Sequence, residues 1–217
     1  MRHAVPLAFV LLLAVAAPAA ACTAEEDPAV TVAVREAPLR IDRSLSRSAL
    51  AARVGGVGPN WSAFGLTEAS HETEINYGFV IVQTGKQYCA TLSKVAVEIT
   101  LGLVVHYASE LRRGTCANQE IEEHEQQHVD LERKMLPLVK ARVEAAVAGL
   151  ARKGMVGKAV DASTEALEAR MSDTIQRVLN AFADEKNRQH DVFDTREAYV
   201  KLSLRCGRDE IRALLGG

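Results

Sequence analysis

From Asn118 to about Arg152 the chain holds a single proline, Pro137, and inward-type residues recur at Ile121, His124, His128, Leu131, Met135, Val139, Val143, Val147 and Leu150. Steps of three and four trace one face of an α-helix, so this stretch predicts a long helix with a buried stripe. Pro137 withholds one backbone N–H and is a candidate kink. The segment RKGMVGKAVDAS carries two glycines and reads as a turn, with Asp161 or Ser163 as N-cap. A second stripe, Leu167, Met171, Ile175, Val178, Phe182, Glu185 and Gln189, predicts a second helix. The two are expected to pack as an antiparallel hairpin that brings the region of residues 185 to 190 back to His128 and His124.

The first half has another period. AVTVAVREAPLRI reads as a strand broken near Pro38, Leu45 to Val54 as a short helix, and Ile75 to Gly85 as a further strand. Val95, Val97 and Ile99 alternate with Ala96, Glu98 and Thr100, and a hairpin centred near Gly102 is expected to pair this run with the next. The fold class is therefore expected to be α+β, a small, mostly antiparallel sheet followed by a long antiparallel helix hairpin. Residues 29–217 form one domain in this reading, sheet-rich over 29–117 and helical over 118–217.

The opening MRHAVPLAFVLLLAVAAPAAACTAEE has a basic start, a short apolar run and small residues at Ala19 and Ala21, the pattern of a secretory signal peptide over residues 1–21. Residues 22–28 read as a polar linker, and no later run is long enough for a transmembrane span. Export to the periplasm or the extracellular space is expected. Cys22 after Ala19-Ala20-Ala21 resembles a lipobox, so a lipid anchor at Cys22 is the alternative to plain export. In an oxidising compartment the hairpin register brings Cys89 to Cys116, the expected disulfide, with Cys206 free or paired with Cys22. A formal charge of −2, from 26 basic and 28 acidic residues, offers no basic face for nucleic acid.

Within the first predicted helix stands His124-Glu125-Gln126-Gln127-His128, an HExxH string. Two neutral imidazoles one helical turn apart can grip one Zn²⁺, and the glutamate beside the first can act as general base towards a water activated by that ion. The competing reading is two histidines on a solvated, glutamate-rich helix.

The signal peptide, the segment YCATLSKVAVEITLG, the join RGTCANQEIEEHEQQHV and the late DTREAYVKLSLRC together resemble the predicted secreted zinc-dependent proteases of bacteria, over about residues 75 to 206. The resemblance implies a zincin-like metallopeptidase with His124 and His128 as ligands and Glu125 as base. It supplies no third ligand. The metzincin extension and the aspzincin Gly-Thr-x-Asp signature are both missing. Helical phase favours Glu185 as third ligand, with His190 as the alternative and Asp191 and Asp194 as further candidates or as partners of the histidines.

Tyr107 and Tyr199 are candidates for oxyanion stabilisation against a plain core role, and His71 and His106 are expected to be ordinary sheet or surface residues. The expected function is hydrolysis of a peptide or protein substrate lying along Val104 to Ala108, with zinc as cofactor. A non-catalytic envelope protein with a structural zinc site or an interaction hairpin is the alternative.

Overall fold

The computed structural model describes residues 22–55, 63–195, 204–207 and 210. Along the chain run β1 (Ala29–Glu36), β2 (Arg40–Asp42), α1 (Arg47–Arg53), β3 (Gly65–Thr84), β4 (Gln87–Tyr107), α2 (Cys116–Ala151), β5 (Met155–Gly157) and α3 (Val160–His190). The expected signal peptide and Tyr199 lie outside the described residues.

Strand β4 organises the sheet because it is apolar at every second position. Val95, Val97, Ile99, Leu101, Leu103 and Val105 are all buried on the side that meets the helices. One edge of β4 pairs antiparallel with β3, from Thr84↔Gln87 to Gly65↔Tyr107. Its other edge takes β5 antiparallel, then β1 and β2 parallel.

The expectation of a mostly antiparallel sheet followed by a helix hairpin is thereby corrected. The sheet is mixed, with the path β1-β4-β2 parallel, and β5 intervenes between the two long helices to pair with β4. The hairpin turn expected near Gly102 is corrected too. Gly102 lies inside β4, where a Cβ would stand 2.7 Å from Ser70 Oγ, so this glycine makes room for a neighbouring strand rather than a turn. The chain reverses at Gly85-Lys86, where Gly85 adopts φ 63°, a conformation that costs glycine little.

Thr115 caps α2 by accepting a hydrogen bond from Asn118 N, and the helix runs on through Pro137. Its Met135, Val139, Val143 and Val147 meet Leu167, Met171, Ile175 and Phe182 of α3 and the helix-facing side of the sheet in one core. A second core joins Leu50 of α1, Leu101 to Val105 of β4, and Ala117, Ile121 and Val129 of α2. The HExxH segment sits where these two cores meet.

The disulfides are Cys22–Cys89 and Cys116–Cys206, which corrects the expected Cys89–Cys116 pairing. Once β4 runs straight through Gly102, Cys89 and Tyr107 are about 60 Å apart at ~3.3 Å per residue, so Cys89 cannot reach Cys116. The Cys22 sulfur is bonded to Cys89, which replaces the lipid anchor weighed at that residue. Two disulfides suit an exported protein. Among the described residues no helix is long and apolar enough to cross a membrane.

Candidate metal centre

Helix α2 places His124 and His128 one turn apart, and the turn after α3 returns Asp194 to them. Asp194 Oδ1 lies 3.0 Å from His124 Nε2 and 3.2 Å from His128 Nε2. The two Nε2 atoms are themselves 3.2 Å apart. That turn is built by Phe193 N and Asp194 N donating to His190 O, and it is pinned by the Phe193 ring, which meets the His128 ring edge-on at 5.6 Å.

Three donor atoms so close together fit one small cation. Zinc–nitrogen bonds of about 2.0 to 2.1 Å in a tetrahedron set ligand atoms about 3.3 Å apart, within a few tenths of the separations found here. Two imidazoles and a carboxylate are a donor set that zinc accepts. The three residues form the one group of this kind among the described residues.

Glu125 is buried, with 4% of its surface exposed, and its Oε2 accepts a 2.7 Å hydrogen bond from Thr67 Oγ1 on β3. Gly65 makes the space for it: a Cβ at that position would lie 2.7 Å from Glu125 Cγ and 2.8 Å from Cδ. A cavity of about 590 Å³ opens beside these groups. Its floor is Glu125, His128 and Glu132, one wall is Ala63 to Ala69 at the start of β3, and the other is Lys186 to Asp194 at the end of α3.

Charge is distributed to suit a cation. Burial pushes the Glu125 carboxyl above the usual range, against the Thr67 hydrogen bond and the two histidines. Burial would also raise Asp194, but His124 and His128 outweigh it and hold that carboxyl well below the carboxylate range. The Asp194 hydrogen bond raises the His124 imidazole, with burial opposing.

Of the expected third ligands, Glu185 is not brought to the site. It pairs with Arg142 at 2.6 Å on the outer side of the helix pair. The buried line of α3 advances from Phe182 to Lys186, a step of four residues where the sequence reading took three. As a result Lys186 faces Glu132 and His190 faces His128, one helical turn off the expected register. His190 is therefore near, but on the far side of His128: its Nδ1 is 2.6 Å from His128 Nδ1, away from the converging Nε2 atoms. Asp191 lines the cavity.

The remaining candidates stand apart from the three donors. His106 bridges Asp42, at 3.1 Å from Nδ1, and Glu68, at 2.8 Å from Nε2. His71 is half-buried, and burial, then the charge of Lys186, push its imidazole down. Tyr107 lies under the Arg43 guanidinium, and burial pushes its phenol up to about 12. Thr67, Gly65, Glu132, Lys186 and Phe193 were missed by sequence reasoning. Only Glu132 left a signal, four residues after His128 on the same helix face.

No family model, no curated protein and no solved structure matches this chain.

Proposed function

We propose that the chain is an exported zinc-dependent metallopeptidase, with His124, His128 and Asp194 as metal ligands and Glu125 as general base. The observation that carries this reading is the convergence of three donor atoms within 3.2 Å of one another beside a buried glutamate at the edge of a cavity. A zinc ion held there would supply the positive charge that acidifies a water and polarises a scissile carbonyl. Thr67 occupies Glu125 Oε2, which leaves Oε1 to take the proton of the attacking water and pass it to the leaving amine. The resemblance to secreted zinc-dependent proteases points the same way.

The cavity beside the three donors gives a substrate room to reach the metal, which favours catalysis over the non-catalytic alternative. The substrate path differs from the one expected along Val104 to Ala108, because β4 there is paired with β2 on one side and β3 on the other. The outer edge of β3 has no strand partner among the described residues, and its start forms a wall of the cavity. A substrate extended along Gly65 to Ala69 by strand addition would pass the metal ligands.

The test is Glu125→Gln, which preserves size while removing the basic carboxylate. On a peptide from a broad library that wild type cleaves in a zinc-dependent way, the variant should bind zinc normally and lose at least ~10²-fold in rate. Equal cleavage by the two proteins overturns the reading.

A further inference from the structure

We infer that Lys186, Glu132 and His190 act as a positioning relay that fixes the tautomer of His128 and keeps its Nε2 unprotonated for metal. The inference rests on the metal-site reading but not on peptidase activity. Its basis is a chain of four groups, three of them nearly excluded from solvent: Glu132 is 3% exposed, Lys186 6% and His128 6%.

The direction of each hydrogen bond follows from what the groups can donate. Lys186 Nζ is a donor only, and it reaches Glu132 Oε1 at 2.8 Å and Oε2 at 3.1 Å. Glu132 is thereby held ionised, because the Lys186 ammonium donates to both of its oxygens. An ionised carboxylate only accepts, so the 3.0 Å contact between Glu132 Oε1 and His190 Nε2 puts a hydrogen on that nitrogen. The Lys186 ammonium already matches the Glu132 charge, and a neutral His190 leaves the buried cluster balanced. Neutral His190 with Nε2–H has a bare Nδ1.

That bare Nδ1 is 2.6 Å from His128 Nδ1, a separation that requires one hydrogen between them, and His128 must donate it. His128 is then the Nδ1–H tautomer. Its Nε2 lone pair faces His124 Nε2 and Asp194 Oδ1, and the proton shared by these three atoms sits on His124 Nε2, which lies 3.2 Å from His128 Nε2 and 3.0 Å from Asp194 Oδ1. The His128 and His190 rings meet edge to edge, with centroids 4.9 Å apart and 26° between their planes, so the shared hydrogen lies close to both ring planes. Metal-bound histidines usually donate the outer N–H to a carboxylate or carbonyl. Here a second imidazole stands between the ligand and the carboxylate.

The experiment uses the full mature chain, labelled with ¹⁵N at histidine and stripped of metal, above the ordinary histidine titration range. Long-range ¹H–¹⁵N spectra should show His128 protonated at Nδ1 and bare at Nε2, and His190 protonated at Nε2. A His128 protonated at Nε2 overturns the proposal. His190→Phe keeps an aromatic ring beside His128 but removes both nitrogens, and it should lower zinc affinity by about 10- to 100-fold. Unchanged zinc affinity in folded His190→Phe also overturns it, and if that variant does not fold the wild-type spectrum decides alone. Neither readout involves cleavage, so loss of the peptidase reading through Glu125→Gln would leave this result standing.

Discussion

Thr67 Oγ1 donates a 2.7 Å hydrogen bond to Glu125 Oε2, and this bond joins the outer strand of the sheet to the helix that carries both histidines. The carboxylate of the proposed base is thus oriented by a neighbour on β3. Two residues back, Gly65 leaves it room.

Gly65→Ala should therefore separate metal binding from catalysis. The new Cβ would displace the Glu125 carboxyl, and misplacing a reacting group by about 1 Å can cost ~10²-fold in rate. Zinc stoichiometry should stay at the wild-type value, since the three atoms nearest the new Cβ all belong to Glu125. Assaying kcat/KM alongside metal content checks this, and wild-type cleavage by the alanine variant would remove Glu125 from the mechanism.

Thr67→Val should weaken the metal-free fold by about 1 to 3 kcal/mol, the cost of leaving a buried acceptor unpaired. The effect depends on pH with a definite sign. Glu125 in the folded chain is shifted above its ordinary 4.5, so the native state holds this proton more firmly than the unfolded state does. Stability from this group is full below 4.5 and falls as pH rises through the folded value. The valine penalty should accordingly be small in acid and full near neutrality. Urea titrations at the two conditions would show it; a larger loss in acid contradicts the assignment.

The sequence carried the periodic elements of this picture further than its long-range contacts. The period of α2 and the HExxH string were legible because a helix repeats every 3.6 residues whatever it packs against. The stripe of α3 was legible along most of its length, but near its end the choice between Glu185 and Lys186 is a single residue in phase. A lysine at an inward position is chosen only when a buried acid such as Glu132 awaits it, and that partner lies 54 residues away. Asp194 follows the helix in a turn that Phe193 anchors, so no periodicity points to it. In the sheet, Gly102 carried the same local signal as Gly85, yet only tertiary packing against Ser70 distinguishes a gap from a turn. The parallel pairing of β1 and β2 with β4 is likewise a long-range choice that alternation cannot reveal.

The buried Lys186 to Glu132 ion pair predicts a characteristic acid response. Glu132 and Asp194 both titrate below their ordinary values of 4.5 and 3.8 in the folded chain. Their stabilisation is present above those values and is lost as pH falls through the depressed ones. Lys186→Met leaves a buried carboxylate without its ammonium and should cost about 3 to 5 kcal/mol near neutrality. Because Glu132 then titrates closer to its unfolded value, the variant should also lose stability less steeply in acid. Thermal melts across the carboxylate range test both statements, and a variant as stable as wild type at neutral pH would contradict them.

Non-reducing peptide mapping should find Cys22 with Cys89 and Cys116 with Cys206. The pairs are separated by 67 and 90 residues, and in the chain-entropy model each closure stabilises the fold by about 4 to 5 kcal/mol. The second also ties Cys206 to the start of α2, where Glu210 Oε1 accepts from Ala117 N at 2.8 Å. Replacing Cys116 and Cys206 by serine should lower the melting temperature, and recovery of a Cys89 to Cys116 peptide would mean that β4 is not one continuous strand.

The third-ligand assignment gives the sharpest contrast between two acidic residues nine positions apart in sequence. Asp194 Oδ1 lies against both Nε2 atoms, so Asp194→Ala removes one of three donors and leaves two imidazoles, a set that zinc seldom accepts alone. Its metal affinity should fall by at least the 10- to 100-fold that loss of even an outer partner produces, about 1.4 to 2.7 kcal/mol. Glu185 is occupied with Arg142 at an exposed position, where solvent screens the pair, so Glu185→Ala should change neither metal affinity nor stability appreciably. Competition titration of both variants against a chromophoric zinc chelator measures the difference directly. Should Glu185→Ala lose the metal while Asp194→Ala keeps it, the end of α3 must be turned by one residue relative to α2, and the Lys186 to Glu132 pair and the His190 contact would fall with the assignment.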